Sequence, residues 1–164
     1  MTKMAIFIGA VLYPAHGKWV ELPTTTDELD EAIAYARTED CEEVMISDYE
    51  GIKCEEYDNI YDINERAEML SDLDDDEAEI FEAVLDDVGD FDEALRIVED
   101  HDYLYYSGCC TMEEVARMYC EDTGLLAEIP VYLRDYFDFE AYGRNMEMSG
   151  NFIELSDGFV EIFR

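Results

Sequence analysis

The stretch DLDDDEAEIFEAVLDDVGDFDEAL, residues 72–95, decides how the chain is read. Twelve of its 24 residues are acidic and none is basic. Leu73, Ile80, Phe81, Val84, Leu85, Val88, Phe91 and Leu95 nonetheless recur at helical intervals. That pattern predicts helices with one apolar stripe and carboxylates on the opposite face. The same period covers residues 60–99, where Ile63, Ala67 and Leu70 share one face and Ala94, Leu95 and Val98 share another. Asp72 and Asp90 stand at cap positions and Gly89 at a helix stop. The segment reads as three or four short helices in a compact acidic bundle.

Working outward, residues 4–12 form a β-prone run broken by Pro14 and Gly17. Residues 18–23 read as a second strand ending at Pro23, and residues around 44–47 as a third, closed by Gly51. Between them Thr26 is expected to cap a helix over 28–36, with acid in its first turn. Strand, strand, helix, strand makes a small α+β unit. Towards the C-terminus, residues 103–108 are β-prone. Thr111 and Glu114 have capping-box spacing and open a helix over 112–121 that stops near Gly124. Pro130 opens a further helix over 131–146. A hairpin follows, with strands at 152–155 and 159–163 around a turn at 156–158. The fold class is α+β, with mixed ends flanking the acidic helices.

Composition sets bounds on function. The 164 residues are 49% hydrophobic and include twelve Tyr and eight Phe, which argues against acidic disorder. The net charge is −34, from 44 acidic residues against 10 Lys and Arg. Residues 1–61 hold 14 acidic and 4 basic residues, 62–103 hold 18 and 2, and 104–164 hold 12 and 4. The charge is therefore interleaved with apolar positions and lies on folded elements; it is not an acidic tail. Splits at about 61 and 103 divide the chain into an N-terminal α+β domain, a central acidic helical domain and a C-terminal α+β domain. The cysteines Cys41, Cys54, Cys109, Cys110 and Cys120 are odd in number and contain no CxxC pair. They read as reduced thiols of a cytoplasmic protein. The apolar run at 5–13 reads as a strand and not as a signal-peptide core, and no run reaches transmembrane length.

Four kinds of chemistry can be weighed. A calcium loop starting at Asp72 needs Gly at its sixth position and Glu at its twelfth. The chain has Glu77 and Ala83 there, so the loop fails and no metal or other cofactor is expected. Carboxylate pairs can hydrolyse, but among 44 acidic residues pairs arise by chance, and His16 and His101 have no evident partners. No GxSxG, P-loop or HExxH is present, so no enzyme is expected. Nucleic acid is excluded by sign, because its binding requires Lys and Arg to replace phosphate counterions. A basic protein cleft fits best. A charge of only about −2 to −8 keeps a small domain soluble, so −34 calls for a use. At one charge per ~1.7 Å of B-DNA, 34 charges match about 58 Å of duplex, or roughly 17 base pairs.

Specific strings narrow the field. EEVARMYCEDTGLLAEIP, followed by YLRDYFDFEAYGRNMEMSGNFIELSDGFVEIF, resembles the C-terminal half of the ArdA antirestriction proteins. Residues 125–140 correspond to that family's antirestriction motif, and 141–150 to the stretch after it. GKWVELP at 17–23 and ISDYEG at 46–51 carry a looser N-terminal match. The resemblance implies a cytoplasmic DNA mimic, carried by mobile elements, that occupies the DNA-binding channel of type I restriction–modification enzymes. It also implies an elongated homodimer whose subunits have three small domains in a row, with no nucleic-acid or membrane partner. On that reading the DNA-like surface comprises Asp72, Asp74, Asp75, Asp76, Glu77, Glu79, Glu82, Asp86, Asp87, Asp90, Asp92 and Glu93. The motif comprises Leu125, Leu126, Glu128, Ile129, Pro130, Tyr132, Leu133, Tyr136, Phe137, Phe139 and Glu140. Ile129, Pro130, Tyr132, Leu133, Tyr136, Phe137 and Phe139 read plainly as the core of the C-terminal domain; by the motif's place in the family, the resemblance implies that some of them also lie near the dimer contact. The alternatives are a generic acidic adaptor or chaperone for basic DNA-binding proteins, and an acidic hydrolase.

Overall fold

The computed structural model describes residues 3–163. Among these it has seven α-helices and two three-stranded antiparallel sheets, a mixed α+β architecture. The chain forms two compact units, Met1–Asp75 and Asp76–Arg164.

In the first unit, β1 (Met4–Ala10) lies between β2 (Gly17–Leu22) and β3 (Val44–Glu50). The period-two geometry of a strand separates its two faces. Met4, Ile6 and Ile8 of β1, with Val20, Leu22 and Ile46, point to one side and are buried. Helix α1 (Thr26–Ala36) covers that side with Leu29, Ala32, Ile33 and Ala36, spaced as one helical stripe. Thr25, one residue before the expected cap, accepts the Glu28 N–H at 3.3 Å, so Thr26 is already helical. Helix α2 (Ile60–Ser71) seals the same core with Ile60, Ile63 and Ala67. The first of the acidic helices thus packs on the N-terminal sheet. Asp72 does not start a helix: it sits at the C-terminal end of α2, its N–H directed to Met69 and Leu70 carbonyls.

Helix α3 (Asp75–Val88) stops at Gly89, whose φ of 77° suits a residue without Cβ. Asp90 caps α4 (Phe91–Glu99), accepting the Glu93 N–H at 2.9 Å. Phe81 and Phe91 meet edge to face with centroids 5.3 Å apart. The second sheet has the order β4 (Tyr103–Ser107), β6 (Gly158–Ile162), β5 (Phe152–Leu155). Tyr106 and Phe159 of this sheet pack with Cys109 and Val115, the latter from α5 (Met112–Thr123). Thr111 caps α5 by accepting the Glu114 N–H at 3.3 Å. The Glu114 carboxylate in turn accepts the Cys110 N–H at 2.6 Å.

The single helix expected over 131–146 is broken. A 3-10 turn (Leu125–Glu128) and the short α6 (Val131–Arg134) precede α7 (Phe139–Ser149). The break has a local cause. Asp138 takes the N-cap position and accepts the Ala141 N–H at 2.9 Å, while Arg134 folds back to donate to the Ile129 carbonyl at 3.0 Å. Helix α7 then lies close against the start of α5. A Cβ on Gly143 would stand 2.4 Å from the Met112 carbonyl oxygen.

Candidate functional site

Helices α3 and α4 bury one face each. Ile80, Phe81 and Val84 of α3 and Ala94, Leu95, Ile97 and Val98 of α4 are buried. Asp75, Glu79, Glu82 and Asp86 recur at steps of four, three and four, so they form a stripe on the opposite side of α3. Adjacent members of such a stripe have Cβ atoms about 5–6 Å apart, and each like-charge pair at that spacing is destabilising by about 0.2–0.5 kcal/mol. Asp76 and Asp87 flank the stripe, and Asp90, Asp92 and Glu93 continue the acid onto α4. Asp72, Asp74 and Asp75 belong to the first unit and the other nine to the second. Eleven of the twelve are exposed and Glu77 is half-buried. Among all the described residues, no polar or charged residue is buried.

Three arginines of the second unit are engaged locally. Arg96 meets Asp102 at 2.9 Å and Asp100 at 3.6 Å. Arg117 pairs with Glu113 at 3.0 Å and Arg144 with the motif residue Glu140 at 2.7 Å, both one helical turn apart. Glu79 has an additional, structural task. It accepts the Ser156 N–H at 3.4 Å and the Ser156 hydroxyl, which fixes α3 to the turn between β5 and β6.

The motif residues divide into two groups. Phe137 and Phe139 are half-buried with centroids 4.9 Å apart, Phe137 also meets Tyr142 at 5.5 Å, and the Arg117 guanidinium lies 4.2 Å over the Phe139 ring. These rings join α7 to α5. Tyr132 and Tyr136, by contrast, remain 74% and 83% exposed, with Leu133 at 44%. Leu125, Leu126 and Ile129 are half-buried, and Glu128 and Pro130 are exposed. None of the motif residues is fully buried, so the expectation that they form the core of the C-terminal domain is not met. The core positions there go to Tyr106, Val115 and Phe159 instead. Sequence reading also missed Val131, which is 72% exposed, and Arg117, whose partner ring lies 22 positions away. Periodicity carries no signal for either. Tyr136→Ala is expected to change unfolding free energy by less than about 0.5 kcal/mol. Phe139→Ala should lose about 2 kcal/mol, at the low end for an aromatic because the ring is only partly buried. Urea denaturation of the two variants measures the difference.

Reactive groups are not gathered. All five cysteines are free thiols, and those of Cys54, Cys109 and Cys120 are shifted upward, by burial before any charge, with Cys54 at about 11. An activated nucleophile is shifted the other way. His16 stacks on Tyr35, and His101, just past α4, stacks on Tyr103. The stretch tested as a calcium loop is helical from Asp75 onward. Among the described residues, no group of three or more His, Cys, Asp or Glu could hold a metal ion, and no helix is long and apolar enough to cross a membrane.

A family model described as "Antirestriction protein (ArdA)" matches residues 14–161, nearly the whole chain. No curated protein is significantly similar to it.

Proposed function

The chain belongs to the ArdA antirestriction family, and from that premise we propose that it inhibits type I restriction–modification enzymes by occupying their DNA-binding channel with a duplex-like array of carboxylates. The observation that carries this reading is the separation of charge from core. The chain has a net charge of −34, and no described charged residue is buried. The like-charge stripe on α3 costs the free protein stability, and a basic channel converts that repulsion into attraction. The carboxylates stand on helices already formed, which lowers the ordering cost of binding. The protein works in the cytoplasm, where the enzyme meets DNA, binds no nucleic acid itself and catalyses nothing.

The test is a titration of a type I enzyme and labelled duplex with this protein at several salt concentrations. Duplex should be displaced competitively, and affinity should fall as salt rises, because both ligands use the same basic residues. A ternary complex with duplex still in its channel, or inhibition indifferent to salt, would transfer the case to an adaptor or an allosteric inhibitor.

The active form in this reading is a homodimer of three-domain subunits, joined through the exposed apolar residues of the motif. Val131, Tyr132 and Tyr136 support that assignment, since an apolar cluster in a chain this acidic wants cover.

A further inference from the structure

The outer face of the first sheet carries a feature that the acidic helices lack. Antiparallel pairing sets residues into rows across the three strands. Trp19, Phe7 and Asp48 form one row, and Glu21, Ala5 and Glu50 form the next. The register shift between Phe7 and Ile8 turns Asp48 and Glu50 outward while Ile46 remains in the core. Trp19 meets Phe7 edge to face at 5.7 Å and is still 48% exposed. Asp48, Glu50 and Glu21 are exposed beside the rings. Rows two residues apart and neighbouring strands about 4.8 Å apart put all three carboxylates within reach of a cation lying on the rings. One of these carboxylates already draws a cation of the chain, beside the rings and not on them. The Lys3 ammonium sits 2.5 Å from Glu21, and its proton is held more tightly by Glu21 and then by Glu50.

We propose that this sheet face is a seat for an arginine side chain of the basic partner, stacked on Trp19 and neutralised by Asp48 and the adjoining glutamates. Arginine fits better than lysine because its planar guanidinium stacks on an aromatic face and offers a fork of donors to a carboxylate. The inference rests on the reading of the chain as a ligand for a basic DNA-binding channel. It adds a contact that depends on one ring and not on summed charge.

Trp19 is the only tryptophan of the chain, so its emission reports the seat directly. Hexa-arginine, which has no aromatic residue, is titrated against the intact protein, with hexa-lysine as a probe of equal charge. The same protein, Trp19→Phe and Trp19→Thr are then compared as inhibitors of duplex cleavage. Hexa-arginine should perturb Trp19 emission at lower concentration than hexa-lysine. Trp19→Thr should weaken inhibition about fivefold to tenfold and Trp19→Phe less. Trp19 emission unmoved by hexa-arginine overturns the seat. So does Trp19→Thr inhibiting as well as the parent while circular dichroism shows it folded. If hexa-arginine perturbs Trp19 but the parent protein never displaces duplex, the seat stands and the channel reading falls.

Discussion

Gly143→Val is expected to destabilise the second unit severely. The substitution adds a branched side chain where even a Cβ would stand 2.4 Å from the Met112 carbonyl oxygen and 3.0 Å from the Glu113 nitrogen. Both are backbone atoms at the start of α5, held by the Thr111 cap, so they cannot swing aside as a side-chain tip would. Helix α7 must move away from α5, and the rings of Phe139 and Tyr142 lose Arg117 and Tyr119 as neighbours. Overpacking of this kind costs about 1–3 kcal/mol, and a β-branched side chain against rigid backbone belongs at or above the top of that range. At about 4–8 °C per kcal/mol for a unit of this size, the melting midpoint should fall by roughly 12–24 °C. Gly143→Ala should fall part of the way. Trp19 lies in the first unit and should report a transition that scarcely moves. A midpoint by circular dichroism within about 4 °C of the parent, or about 0.7 kcal/mol, would show that the helices can part freely.

Neutralising the acid of α3 and α4 as a block should weaken inhibition about a hundredfold or more, whereas any one neutralisation should change it about threefold or less. The block is Asp76, Glu82, Asp86, Asp87, Asp92 and Glu93 changed to the matching amides. Glu79 is left in place because it fixes Ser156. All six are exposed, so the amides require no repacking. Lost mutual repulsion is set against the lost first-turn acids Asp76, Asp92 and Glu93, which favour the helix N-termini. A thermal melt beside the inhibition assay separates loss of inhibition from loss of folding. Complete loss from Asp87→Asn alone would mean a specific contact and defeat the idea of a shared field.

The elements were legible where a local signal fixes them. Asp90 and Thr111 cap helices as their spacing predicts, Gly89 and Gly124 end helices with φ of 77° and 67°, and the C-terminal hairpin lies where its turn residues put it. What escaped depends on partners distant in sequence. The apolar stripe of α2 resembles those of α3 and α4, and nothing in its period says that Ile60 and Ile63 will meet β1 and α1. Residues 131–146 contain few helix breakers, so one helix was the natural reading. Asp138 as a cap and the backward reach of Arg134 stop it. The candidate surface was legible as charge, because acids opposite a buried stripe must face outward. The motif was not, since Tyr132 and Tyr136 have the composition of a core without its burial. The row of Trp19, Phe7 and Asp48 exists only through strand register, which a period of two alone does not supply.

Among the described residues, the burial of no charged side chain has a consequence for how such a protein can change over generations. An exposed carboxylate can move one position, or exchange Asp for Glu, without disturbing a packed neighbour. Apart from acids with a structural task, such as Asp90 and Glu79, the acidic text can therefore be rewritten so long as its total is kept. On the reading proposed above, the target enzyme has the opposite problem. Any escape substitution that stops it gripping this surface removes a lysine or arginine that it also needs for its own substrate. The drift available to one partner is closed to the other, and that asymmetry follows from where the charges sit.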